Sequence, residues 1–110
     1  MPLLEGEEKL KMLTFQHNKI VKIENLISLP NLLYLDLHDN LIRDIENLTI
    51  PSLKVLLLAK NQLTKIKNIH ELPKLEVLDL HSNKISKIEG FGMLNSLRIL
   101  NLSHNQIVKI

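Results

Sequence analysis

The sequence has no cysteine and no tryptophan, and only one tyrosine and two phenylalanines among its 110 residues. The lack of cysteine excludes a disulfide scaffold, an iron–sulfur site, a thiolate zinc site and a cysteine nucleophile. An excess of one charge is also missing, since the net charge of +2 gives no case for nucleic-acid binding. No apolar run approaches the roughly 20 residues that span a bilayer, and the opening residues lack the pattern of a signal peptide. We therefore expect a cytoplasmic chain with no membrane partner and no cofactor.

Leucine, isoleucine and asparagine are abundant instead, with 25, 13 and 11 copies. One phrase, Leu-x-x-Leu-x-Leu/Phe-x-x-Asn, occurs five times, and its asparagines are 22, 21, 22 and 22 positions apart. The phrase ends at Asn18, Asn40, Asn61, Asn83 and Asn105. Five copies in register are typical of leucine-rich repeats. The 22-residue length and the following Ile-x-x-Ile-x-Asn-Leu resemble the short intracellular class that includes a regulatory subunit of protein phosphatase 1.

The repeat predicts an α/β solenoid. The two leucines of Leu-x-Leu face one side of a strand and the residue between them faces the other, and stacked units pair their strands about 4.8 Å apart. We expect a right-handed leucine-rich-repeat superhelix with a parallel, concave β-sheet and 3₁₀ or short helical convex segments. Residues 1–9 would form a partial N-terminal cap, and residues 10–110 the repeat domain. Four full repeats start at 10, 32, 53 and 75, and a truncated fifth starts at 97; we call these repeats 1 to 5.

The phrase-ending asparagines have a structural role in this interpretation. Each lies where the chain turns out of a strand, and a side-chain amide offers both donors and an acceptor. We expect these amides to satisfy backbone groups that the sheet does not reach.

Stacking aligns equivalent positions of successive repeats into columns that run across the sheet. One column of variable residues is apolar throughout: Met12, Tyr34, Val55, Val77 and Ile99. Such residues suit a sheet surface that is partly covered at its rim. Alternatively they form a stripe that binds a protein, with Tyr34 and Leu57 as anchors. The stripe would extend roughly 19 Å, which suits a helix or loop of a partner better than a small molecule. The polar residues expected to orient that partner are Asp36, His38, Asp39, Lys60, Asp79 and His81.

These columns do not predict a zinc site or a serine catalytic triad. His38 and His81 lie two strands apart, roughly 10 Å, whereas zinc holds each ligand at about 2.0–2.1 Å, so they cannot share one ion. Asp79, His81 and Ser103 supply the residue types of a serine triad. The sequence shows no strained elbow, oxyanion donors or water-excluding pocket to accompany them. We predict neither a metal site nor a catalytic residue.

A second column precedes the second core isoleucine of each repeat and is mostly basic: Lys22, Asp44, Lys65, Lys87 and Lys109. It is interpreted either as a solvated face or as a ridge that attracts an acidic protein surface.

At the C-terminal end of the sequence, no residue after Ile110 would cover the last strand. We expect that the sequence is a fragment of a longer protein, or that another chain supplies the missing cap.

A closer resemblance rests on three segments. They are Gly6 to Asn18, with Phe15-Gln16-His17-Asn18 its most specific part, Val55 to Asn61, and Val77 to Asn83. Together they resemble the leucine-rich region of non-catalytic subunits of the tubulin polyglutamylase complex. The resemblance implies a scaffold at microtubules, cilia or basal bodies, with catalysis in a different subunit.

The predicted function is therefore a non-enzymatic protein–protein interaction module, whose partners would include subunits of a tubulin-modifying complex. Two alternatives stay open. One is a binding module for a phosphatase catalytic subunit, as the repeat class implies. The other is a structural component that is docked permanently in an axonemal assembly.

Overall fold

The computed structural model describes residues 9–26, 29–88 and 96–107. Each repeat contributes one strand of three residues, and the five strands form a single parallel sheet in chain order. The strands are β1 Met12–Thr14, β2 Tyr34–Asp36, β3 Val55–Leu57, β4 Val77–Asp79 and β5 Ile99–Asn101. The predicted parallel solenoid is confirmed. All but the last residue of the expected N-terminal cap lie outside the described ranges, as do Lys109 and Ile110.

The register of the sheet is the one that the repeat predicts. The apolar column from Met12 to Ile99 is paired residue by residue across all five strands. Backbone pairing continues past the strands, since the Asp39 N–H donates to the Ala59 carbonyl and the Lys60 N–H to the His81 carbonyl, each at 2.9 Å. The columns therefore extend at least three residues beyond each strand.

The middle residue of each strand points into the core. Leu35, Leu56 and Leu78 have no exposed surface, and the residues on either side of them face away from the core. In β5 the equivalent Leu100 is 37% exposed, because this strand is paired on one side only in the described chain. Burying each such leucine stabilises the fold by about 1.5–3 kcal/mol, so the stacked interior supplies the main driving force.

The asparagines that end each phrase tie neighbouring repeats together. Asn61 is buried; its Nδ2 donates to the carbonyls of Leu58 at 3.1 Å and of Leu37, in the preceding repeat, at 3.0 Å. Its Oδ1 accepts the N–H of Ile42, also in the preceding repeat, at 3.0 Å. Asn40, Asn83 and Asn105 make the equivalent contacts. The predicted use of the amide as both donor and acceptor is confirmed.

The return segments differ from the expected 3₁₀ or short helical form. In the described ranges only repeat 3 has a helical element, the 3₁₀ turn Ile69–Glu71. There the buried Ile69 and Leu72 are three residues apart, which is the period of a 3₁₀ helix. Repeat 2 is one residue shorter, and its buried Leu48 and Ile50 are two apart, which is the period of an extended chain. The expectation of helical convex segments is therefore wrong for repeat 2.

A second asparagine column stabilises these return segments. Asn25, Asn47 and Asn68 all have positive φ, between 57° and 63°. Nδ2 of Asn47 donates to the Ile23 carbonyl of the preceding repeat at 2.7 Å, and Asn68 contacts Ile45 in the same way. Asparagine tolerates the left-handed conformation better than most residues, so it can turn the chain and join two repeats at once. No helix in the described ranges has the length and apolar character needed to cross a membrane.

Candidate functional site

The sheet presents one face to solvent, which we call the sheet face. It consists of the first and third residues of each strand together with the second and third residues after each strand. Eleven of the twelve residues predicted to bind a partner lie there with an exposed or half-buried side chain, and the twelfth, Asp36, lies there but is buried. The structure thus places the whole predicted set on one surface, while its binding role stays a prediction.

The apolar column is continuous along this face. Met12 and Ile99, at its two ends, are 59% and 54% exposed. Tyr34, Val55 and Val77 between them are half-buried. The middle of the column thus contributes partly to packing, and its ends offer the most free apolar surface.

Two Asp–His pairs stand at the ends of β2 and β4. The backbone N–H of His38 donates to Asp36 Oδ1 at 3.1 Å, and His38 Nδ1 lies 2.7 Å from the same oxygen. Asp79 and His81 repeat this geometry with the same two distances. Asp36 was expected to meet a partner directly, but it is only 7% exposed. Asp36 is buried and accepts two hydrogen bonds from His38, so it orients His38 rather than offering a free carboxylate, whereas Asp79 in the same geometry keeps 25% of its side chain exposed.

The residue types of a serine triad do not form one. Ser103 Oγ donates to Asn101 Oδ1 at 2.8 Å, and the Ser103 N–H donates to the same oxygen at 3.0 Å. The hydroxyl thus caps the end of β5 in the way that His38 and His81 cap β2 and β4. Over the described part of the chain, no group of three or more histidine, aspartate or glutamate residues is arranged to hold a metal ion.

A third polar contact joins repeats 1 and 2. His17 Nδ1 lies 2.5 Å from Asp39 Oδ2, and the rings of His17 and His38 meet edge to face at 4.9 Å. The hydrogen bond from His17 lowers the pKa of the Asp39 carboxyl below its ordinary value, and the nearby Lys60 acts in the same direction. His17, Asp39 and Lys60 share a left-handed backbone with φ of 57–59°. That conformation lets each side chain follow the sheet face as the chain turns. His17 was not among the predicted site residues.

A cleft of about 280 Å³ lies in the centre of the sheet face. Leu57 and Ala59 of repeat 3 form its floor, and it is bordered by His38, Lys60, Asp79 and His81. The cleft exists because repeat 3 carries a small alanine in the column where repeats 2 and 4 carry histidine. Sequence reasoning missed Ala59, because a methyl group has no chemistry of its own; the signal was its small size between two larger neighbours in a column.

Other surfaces are less organised. Lys22, Lys65 and Lys87 of the predicted basic column are exposed, while Asp44 Oδ1 lies 3.0 Å from the Lys67 ammonium. Lys109 lies outside the described ranges. A wider hollow of about 660 Å³ in repeat 1 is lined in part by Phe15 and Lys22, and its lining includes none of the twelve residues predicted to bind a partner.

Comparisons with known proteins agree with this architecture. Residues 8–49 match the family described as Leucine Rich repeats (2 copies). The human leucine-rich repeat-containing protein 49 is 50% identical over 48 residues, which cover 44% of this chain and 7% of that protein. A crystal structure of an internalin, InlF of Listeria monocytogenes, superposes with a TM-score of 0.83 at 32% identity, covering 94% of this chain and 31% of the internalin. This chain therefore spans a small part of each relative.

Leucine-rich repeats are usually non-catalytic binding domains, and the concave face of the sheet typically binds proteins. The match to the family described as Leucine rich repeat extends over residues 51–107, more than half of the chain. Together with the repeated phrase, the parallel sheet and the asparagine ladder formed by Asn40, Asn61, Asn83 and Asn105, this match shows that the chain belongs to the leucine-rich repeat family.

Proposed function

We propose that this protein is a non-catalytic scaffold that binds a protein partner across its sheet face. The observation that carries the proposal is the difference between the buried and the outward-facing residues of each repeat. The buried residues of each repeat are used in stacking, whereas the outward columns mix apolar and charged side chains, most of which are exposed or half-buried. A mixed surface of this kind on a rigid sheet suits recognition of another protein.

We further propose that the partner belongs to a tubulin-modifying complex and that the protein acts in the cytoplasm at microtubules, cilia or basal bodies. The support is the resemblance in Phe15-Gln16-His17-Asn18 and its neighbouring segments, together with the match to leucine-rich repeat-containing protein 49. Of the four residues in that specific segment, His17 contacts Asp39 on the sheet face.

Site-directed photo-crosslinking tests both parts of this proposal. A benzoylphenylalanine would replace Met12 or Ile99, since both are exposed on the sheet face and tolerate a larger side chain. The matched control places the same group at His70, which is exposed in the 3₁₀ turn outside the sheet. The protein is expressed in ciliated cells, irradiated and purified, and its adducts are identified by mass spectrometry.

We expect adducts from positions 12 and 99 that are absent from position 70, and we expect them to include subunits of a tubulin-modifying complex. Equal adducts from position 70 would contradict the sheet face as the binding surface. Adducts specific to the sheet face that include no microtubule-associated or ciliary protein, a phosphatase catalytic subunit for example, would refute the microtubule role and leave the scaffold role intact.

A further inference from the structure

The central cleft has a size that fits one side chain. His38 and His81 stand on strands two apart, so their backbones are separated by about 10 Å. Contact distances of about 3.5 Å to each side leave room for a single layer of atoms between them. The volume of about 280 Å³ is close to the lower limit of roughly 300–1,000 Å³ for small-molecule pockets, so the narrow gap between the two strands is what indicates a single side chain. The floor of Leu57 and Ala59 is apolar, so the fitting group is a bulky apolar side chain.

Carboxylates outnumber ammonium groups at the cleft and its border. Asp79 and Lys60 line the cleft, the exposed Asp39 lies next to Lys60 in the same column, and the buried Asp36 accepts from His38. Since a carboxylate only accepts, the Nδ1 of His81 donates to Asp79. Acceptors and negative charge thus predominate at this end of the strands.

The other end of the strands has the opposite character. Lys11, Lys54 and Arg98 precede their strands and are exposed, with Glu76 as the counter-charge in the same column. Glu76 lies 3.5 Å from Arg98 and 3.9 Å from Lys54. Five residues of extended chain separate Lys54 from Ala59, about 16 Å, which exceeds the Debye length of about 8 Å at physiological salt. A ligand in the cleft therefore responds to the carboxylates and to Lys60 near it, and not to the cations that precede the strands.

We infer that the central cleft binds a partner segment in which a bulky apolar side chain is flanked by lysine or arginine. The apolar group lies over Ala59 between the two imidazoles, and the flanking cations lie against Asp79 and Asp39. This inference rests on the proposed binding role of the sheet face and specifies the chemistry of its ligand.

Three tripeptide probes, each acetylated and amidated, test the charge preference: Lys-Phe-Lys, Gln-Phe-Gln and Glu-Phe-Glu. Each is titrated into the ¹⁵N-labelled protein at low and at high salt, and the backbone amide shifts of Ala59, Lys60 and His81 are followed. We expect the basic probe to bind about threefold to tenfold more tightly than the neutral one, the gain expected from two exposed ion pairs. That gain should shrink at high salt, and the acidic probe should bind most weakly.

Two variants test whether the probes bind in the cleft and whether Asp79 causes the preference for the basic probe. Ala59→Leu fills the cleft and should abolish binding of both the basic and the neutral probe, while Asp79→Asn should reduce only the advantage of the basic probe. Asp44→Asn, an exposed carboxylate away from the sheet face, is the matched control and should change nothing. If Ala59→Leu does not fold, the three probes and Asp79→Asn still decide the question.

Several outcomes would overturn the inference: equal or tighter binding of the acidic probe, shifts confined to residues outside the cleft, no saturable shifts for any probe, or an unchanged preference in Asp79→Asn. None of these results would alter the crosslinking from positions 12 and 99. Failure of the cleft chemistry is thereby distinguishable from failure of the proposed scaffold function.

Discussion

Replacing Asn61 with alanine would measure how strongly the asparagine ladder joins the repeats. The side chain is 4% exposed and lies in the middle of the stack. It donates to the carbonyls of Leu37, Leu58 and Ala59 at 3.0–3.2 Å, and its Oδ1 accepts the N–H of Ile42 at 3.0 Å. The substitution removes all four contacts and leaves the hydrophobic core residues unchanged.

The four lost hydrogen bonds differ in their energetic cost, because the three carbonyls still accept from other donors. Leu37 still accepts from Asn40, Leu58 from Asn83, and Ala59 from the Asp39 N–H. The N–H of Ile42, a fully buried residue, loses the Asn61 oxygen at 3.0 Å, its acceptor in the intact protein. An unsatisfied buried donor costs about 1–3 kcal/mol, and the weakened donor contacts add about 1 kcal/mol. We therefore expect Asn61→Ala to lower the free energy of unfolding by about 3 kcal/mol.

Asn18→Ala is the matched control, because it removes the same side chain from the same position of repeat 1. Asn18 is exposed, and its Nδ2 donates to the carbonyls of Phe15 and Gln16 at 2.8 and 3.0 Å. The Phe15 carbonyl still accepts from Asn40, and the Gln16 carbonyl can bond to water instead, so the expected cost is about 0.5–1 kcal/mol. The difference between the two variants isolates the buried contacts between repeats.

Urea unfolding followed by circular dichroism gives both values. At an m value of about 1.5 kcal/mol/M, the midpoint of Asn61→Ala should fall by about 2 M and that of Asn18→Ala by less than about 0.7 M, with m unchanged. Equal midpoint shifts for the two variants would refute the reasoning. The ladder would then act within each repeat and not as a tie between repeats.

Three further predictions follow from the backbone, the core and the electrostatics. Lys60 has φ of 57°, so Lys60→Val should cost about 1–2 kcal/mol in urea unfolding, whereas Lys60→Asn should be nearly neutral. Leu78→Ala should cost about 2–5 kcal/mol, but Ile99→Ala, at an exposed position, less than about 0.5 kcal/mol. Because the hydrogen bond from His17 lowers the pKa of Asp39 in the folded chain, Asp39 stabilises the fold above its ordinary value of 3.8, and this contribution is lost as the pH falls below that value. Urea midpoints at pH 5 and pH 3 should therefore differ less in Asp39→Asn than in the unaltered protein, and an equal difference would contradict the assignment.

The sequence predicts the fold and the register because the repeat constrains them redundantly. Leu35, Leu56 and Leu78 each occupy the same position of the phrase, and each has no exposed surface. A slip of one residue in any strand would turn its leucine toward solvent, so the alignment of the phrases fixes the pairing. The return segments are less constrained, and only the spacing of two between Leu48 and Ile50 distinguishes the extended segment of repeat 2 from the turn of repeat 3.

The candidate site is only partly predictable, because its properties belong to neighbours in space. Asp36 has the residue type of a contact residue, yet it is buried and accepts two hydrogen bonds from His38. Ala59 has no distinguishing chemistry, yet it forms the floor of the cleft. The columns indicated that these residues would be adjacent. They did not indicate which side chain would cover which, since that depends on hydrogen bonds to the backbone.

Comparison of the strand ends in repeats 2, 3 and 4 distinguishes the residues that the fold requires from those that it does not. Repeats 2 and 4 end their strands with an Asp–His pair, whereas repeat 3 has Leu57 and Ala59 at those two positions. The backbone is nevertheless the same, since Lys60 has φ of 57° where Asp39 has 58° and Ser82 has 57°. A strand end that forms without the pair shows that the fold does not require Asp79 and His81. The fold thus leaves the residues at these positions free to vary, and the cleft between the two pairs is the place where the proposed binding role is best tested.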